Sequence, residues 1–69
     1  MKKIEIEVYI RSNDYWWDAD GIQHNKYLAR IKSEPACWGV SISTHSAIGN
    51  LMTAHPEKFN MEFTYPGKL

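Results

Sequence analysis

At 69 residues the chain has room for one small domain, since so short a chain buries only about 60% of the surface its unfolded form exposes. Its 43% hydrophobic and 23% charged residues are ordinary globular values, and no Gly-, Ser- or Pro-rich run marks a linker, so residues 1–69 are expected to fold as a single domain. Eight basic residues balance eight acidic ones, so the basic excess of a phosphate-backbone binder is missing and nucleic acid is not an expected partner.

Lys2 and Lys3 are followed by alternating charged and apolar residues, without the continuous apolar segment of an export signal. The longest apolar run is far below the roughly 18 residues of a membrane span, so no membrane association is expected. The lone cysteine, Cys37, has no partner for a disulfide within the chain, which points to a reducing, cytoplasmic setting.

Residues 3–11 alternate strictly, with Ile4, Ile6, Val8 and Ile10 on one face and Lys3, Glu5, Glu7, Tyr9 and Arg11 on the other. This period of two predicts a strand packed on one side and wet on the other. Residues 12–25 are polar and turn-rich around Tyr15, Trp16 and Trp17, with Asp20-Gly21 the better reversal signal because glycine accepts positive φ. Either the first strand runs on and Asp20-Gly21 closes a long hairpin, or the whole stretch is a loop.

Residues 26–32 predict a second strand, with Tyr27, Ala29 and Ile31 alternating against Lys26, Arg30 and Lys32 and Leu28 interrupting the polar side. Residues 33–36 then turn the chain, and residues 37–43 predict a third strand in which Trp38, Val40 and Ile42 oppose Gly39, Ser41 and Ser43. At Ser43 the period changes to about 3.6, so that Ala47, Ile48, Leu51, Met52 and His55 line one helical face. Ser43 or Thr44 can cap this helix, Thr44 and His45 are exposed first-turn residues, and Pro56 stops it near Ala54. Met61, Phe63 and Tyr65 alternate with Asn60, Glu62 and Thr64 as a last strand before Pro66-Gly67. The expected architecture is α+β: a three-stranded antiparallel meander, one helix packed on the sheet, and a final strand, in the order β-β-β-α-β.

Chemistry-bearing residues are sparse. Cys37 could serve as a nucleophile with His24, His45 or His55 as base, but nothing in their spacing favours a pair, and a cysteine beside Trp38 reads as a small hydrophobe. The histidines and Cys37 contain no C-x-x-C or H-x-x-x-H pair, so no metal site is expected. Asp18-Ala19-Asp20-Gly21 matches the middle of an EF-hand loop, yet Trp16 and Tyr27 occupy the first and twelfth positions, which leaves a turn. Glu5 and Glu7 with Lys26, Arg30 and Lys32 read as a solvated charge ladder. Tyr15, Trp16 and Trp17 are the candidate partner-binding residues: adjacent strand residues cannot share a face, so at least one ring should be exposed, and exposed Trp and Tyr are favoured interface anchors, unless the loop folds over the sheet and lids the core with one Trp. No catalytic residue and no cofactor are expected.

Residues 26–60 carry a further pattern: Tyr27-Leu28-Ala29-Arg30-Ile31, Cys37-Trp38-Gly39, Ser43-Thr44-His45-Ser46-Ala47-Ile48-Gly49-Asn50-Leu51 and His55-Pro56-Glu57-Lys58-Phe59. Together these resemble the HicB-like family of small bacterial domains with a partial RNase H-like fold. Tyr27 and Ala29 stand for that family's Tyr-x-Ala pattern, Ser43 for its capping Thr and Ala47 for its helix-opening Ala. Ser46 stands in place of its usual Glu, which is expected to remove half of a capping box, and Ser41 in place of its usual Gly. The resemblance implies a protein that binds a HicA-like toxin and blocks its RNA cleavage. With the sequence ending at Leu69, the family's operator-binding segment and its autoregulation are not carried over.

The expected function is therefore a non-enzymatic protein-binding module that inhibits a toxin ribonuclease or a similar macromolecular partner, with a homodimer through an exposed strand edge as a further expectation. A phage or mobile-element inhibitor of a host defence complex is the alternative within the same class. A small enzyme using Cys37 and a histidine is the contrasting one.

Overall fold

The structure is a computed structural model that describes residues 3–64 and 66–67. Strands β1 (Ile6–Trp17), β2 (Gln23–Ile31) and β3 (Glu34–Ser41) form one antiparallel sheet in the order β1-β2-β3. Helix α1 (Thr44–Ala54) packs on it and a single 3-10 turn, η1 (Pro56–Phe59), follows. This is the expected α+β meander with one helix.

Period two sets the faces. One row of cross-strand partners is Val8, Ala29 and Gly39, and its neighbours along the strands are Ile6 with Ile31 and Ile10 with Tyr27 and Ser41. These residues look toward α1. The helix presents Ala47 and Leu51, both fully buried, to Ala29, Ile31 and Cys37, and Ile6, Tyr27, Ile48 and Phe59 pack around this core.

Gly39 determines where the helix sits. A Cβ at this position would lie 2.4 Å from the Leu51 backbone N and 2.8 Å from the Ala47 carbonyl O, so α1 rests directly on the glycine. The small residues Gly39, Ala29 and Cys37 thus mark the covered face. This close approach leaves the larger residues of the third strand outside, with Trp38, 51% exposed, and half-buried Val40 looking away from the helix. It also corrects the first strand. With α1 seated over β2 and β3, only Ile6 of the predicted apolar row is packed, while Ile4, Val8 and Ile10 remain exposed.

The boundaries shift for local reasons. Between Ile10 and Tyr15, residues 11–14 of β1 stand against Lys26 alone, and this wide bulge carries the strand on to Trp17. Asp20-Gly21 therefore closes a long hairpin, with Gly21 at φ +77. Lys32-Ser33 alone makes the second turn, and Pro35 enters β3 beside a register shift, as suits a residue with no N–H to give a ladder.

Ser43 caps α1, and Ser46 does what the expected Glu would have done. The Ser46 N–H donates to Ser43 Oγ at 3.1 Å and the Ser43 N–H donates to Ser46 Oγ at 3.2 Å, so the capping box is complete. The helix stops at Ala54, before Pro56, as expected.

The final strand is not formed over residues 61–64. The η1 turn ends on Asn60 in the left-handed region, and the Met61 N–H returns to the Pro56 carbonyl at 3.0 Å, which spends that group on a local turn. Tyr65, also assigned to that strand, lies outside the described residues.

Candidate functional site

Two aromatic surfaces flank β1 and β2. The first is the hairpin end that contains the predicted residues Tyr15, Trp16 and Trp17. Alternation separates them: Trp17 is 61% exposed and Tyr15 is exposed, while Trp16 is half-buried. Trp16 stacks on His24 across the ladder, with ring centroids 4.7 Å apart and planes at 24°. Its indole Nε1 is buried without a hydrogen-bond partner among the described residues.

Asp18 braces this end. Its Oδ1 accepts the Asp20 and Ile22 N–H groups at 2.9 and 3.0 Å, its carbonyl accepts from Gly21, and its Oδ2 lies 2.8 Å from His24 Nε2. The Tyr15 hydroxyl donates to the Ser12 carbonyl at 2.7 Å and Asn25 Nδ2 donates to the Arg11 carbonyl at 2.9 Å, which closes the bulge. A groove of about 320 Å³ lined by Ile10, Trp16, His24, Tyr27 and Ile42 runs alongside.

The His24 contact, followed by the Ile22 N–H, holds the Asp18 carboxyl below its ordinary value of 3.8. The ionised form is the one bonded in the fold. Its contribution to stability is therefore complete above the unfolded-state value and disappears as pH falls through the lower folded one. Asp18→Asn is expected to lower the thermal midpoint at neutral pH and to lose less than the wild type on acidification to about pH 2. Parallel melting curves across pH check this; equal acid losses in the two proteins would contradict it.

The second surface is the sheet face opposite α1, which residue patterning alone did not single out. Glu7, Arg30 and Trp38 form one cross-strand row and Tyr9, Leu28 and Val40 the next. The Arg30 guanidinium lies 4.7 Å from the Tyr9 ring centroid, donates to Glu7 Oε1 at 3.2 Å and to the Tyr9 hydroxyl at 3.2 Å. Glu7 first, then Tyr9, push the Arg30 pKa up. Tyr9 is 43% exposed and Trp38 51%, so two aromatic rings and a fixed guanidinium share one open face. The one signal for it in the sequence was the small-residue row Ala29, Cys37 and Gly39, which assigns the larger residues of β3 to the other side.

The remaining candidates separate. Cys37 is buried under α1 and His24 is held at the hairpin end. His45 is exposed on the first turn of α1, and His55 Nδ1 lies 3.8 Å from Glu57 Oε1. Among the described residues no group of three His, Cys, Asp or Glu side chains is placed to hold a metal ion. The charge ladder is present, with Glu5 to Lys32 at 3.3 Å and Glu7 to Arg30 at 3.2 Å, whereas Lys26 turns to Asp14 in the bulge at 3.7 Å. No helix among the described residues is long and apolar enough to cross a membrane. No family model, curated protein or solved structure matches the chain.

Proposed function

We propose that the chain is a non-enzymatic protein-binding module of the HicB antitoxin type, which inhibits a HicA-like toxin ribonuclease or a similar partner by covering it. The observation that carries this reading is the open sheet face, where Tyr9, Trp38 and Arg30 stand together. Trp, Tyr and Arg are the residue types that dominate binding energy at protein interfaces. Here they rise from a rigid sheet, so little side-chain freedom is lost on docking. Leu28 and Val40 supply apolar area between them, whereas Tyr15 and Trp17, exposed at the hairpin end, pair with Asn25 and Gln23 and so stand on the α1 side of the sheet, outside this face. The meander-then-helix order supports the HicB-type assignment, and the unpaired, buried Cys37 suits a reducing cytoplasm.

Trp38→Ala is expected to weaken binding of a HicA-type toxin by about 2 kcal/mol, roughly thirtyfold, with the thermal midpoint little changed because the ring is half in solvent. Calorimetric titration with a catalytically inactivated toxin measures it. Undiminished affinity in both Trp38→Ala and Tyr9→Ala would exclude this face as the binding surface.

A further inference from the structure

A different part of the molecule, the outer edge of β1, carries a second interaction that holds whether or not the open face binds a partner. The Lys32 N–H donates to the Glu5 carbonyl at 3.0 Å. In an antiparallel pair this turns the backbone groups of Glu5, Glu7 and Tyr9 toward β2 and those of Ile6, Val8 and Ile10 outward. Since β1 is a terminal strand of the sheet, these outward N–H and C=O groups form an edge on which no strand pairs among the described residues. Beside that edge, on the part of the helix-side face that α1 does not reach, Val8 and Ile10 are 37% and 65% exposed. An unpaired, apolar edge is a template for another strand.

We infer that two copies of this chain pair antiparallel through β1 about a two-fold axis at Val8, making a six-stranded sheet with both helices on one side. The sequence of the edge selects itself as partner. With Val8 on the axis, Ile6 faces Ile10 of the second copy, and Glu5 faces Arg11 of the second copy twice over. Moving the axis to Glu7 would set two glutamates opposite each other. Moving it to Tyr9 would carry Ile6 opposite the polar Ser12 instead of the apolar Ile10. Val8 is also the midpoint of Ile6–Ile10, the stretch that pairs one-to-one with β2. The present partners of Glu5 and Arg11, Lys32 at 3.3 Å in an exposed pair and Asp14 at 3.1 Å in a half-buried one, are surface contacts that oppose the exchange only weakly.

Charge reversal tests this directly. Sedimentation equilibrium of the wild type should give a concentration-dependent species of twice the 8.0 kDa chain mass. Glu5→Arg and Arg11→Glu should each weaken association about tenfold, because each homodimer then opposes like charges at both ends of the seam. Mixing the two variants should restore it, since the mixed pair regains opposite charges at both ends. A defect in folding could not be repaired by mixing. The inference is overturned by a wild type that stays monomeric throughout, by single variants that associate as well as the wild type, or by a mixture no tighter than its components. It is equally overturned if the Val8 and Ile10 amides resist hydrogen exchange in a monomeric chain, which would mean that the chain's own C-terminal residues cover the edge.

Discussion

Gly39→Ala is expected to lower the unfolding free energy by about 3 kcal/mol. The added methyl meets backbone on every side: Leu51 N at 2.4 Å, Ala47 O at 2.8 Å and the Asn50 carbonyl carbon at 3.0 Å. No rotamer change relieves contacts with backbone atoms, so α1 must lift from β3, and lifting it loosens Ala47 and Leu51 from Ala29, Ile31 and Cys37 together. At about 0.05–0.15 kcal/mol per residue, a domain of 69 residues holds about 3–10 kcal/mol in all, so the substitution removes a large share of it. Gly49→Ala is the matched control. A Cβ there meets nothing within 4 Å, and replacing a mid-helix glycine should stabilise by about 0.5–1 kcal/mol. Urea unfolding of both variants, compared at equal m value, should show opposite signs; a Gly39→Ala midpoint at or above that of the wild type would refute the seat of the helix.

Leu51→Ala is the second large effect, about 3 kcal/mol. Leu51 is the largest fully buried side chain among the described residues, and it stands at the centre of a core otherwise made of Ala29, Ile31, Cys37 and Ala47. Truncation leaves a void that short neighbours on a rigid sheet fill poorly, so the cavity penalty adds to the lost transfer energy. Ile48→Ala, at a half-buried position on the same helix, should cost less than half as much. Comparable losses at the two sites, measured by the same urea titration, would mean that Leu51 is not the keystone of the packing.

The parts of this fold that rest on local physics were legible in the residues. Strict alternation in residues 3–11, the change of period at Ser43, the stop before Pro56 and the reversal at Asp20-Gly21 each have a near-neighbour cause, and each appears in the structure. The covered face of β3 has none. Alternation says that Trp38 and Val40 share a side, but not that the side is open; that depends on how closely the helix approaches, and the close approach selects Gly39 over the larger residues. The size of Trp38 and Val40 therefore does not tell which side is covered, and the site on that face went unseen. At the hairpin the three aromatics were found but not sorted. Sorting them requires the Trp16 stack on His24 and the Asp18 bonds that hold it, which join residues across the turn. The missing Glu of the capping box misled for a simpler reason, since a serine hydroxyl at the same position makes the reciprocal bond.

If the open face of the sheet is where a partner docks, amide and side-chain spectra of the labelled chain, titrated with an inactivated HicA-type toxin, will locate it residue by residue. The expected perturbations fall on Tyr9, Leu28, Arg30, Trp38 and Val40, while the exposed turns of α1 around His45 and Thr53 stay unmoved. Shifts confined to α1, with the Trp38 indole and the Arg30 guanidinium unchanged at saturation, would contradict it.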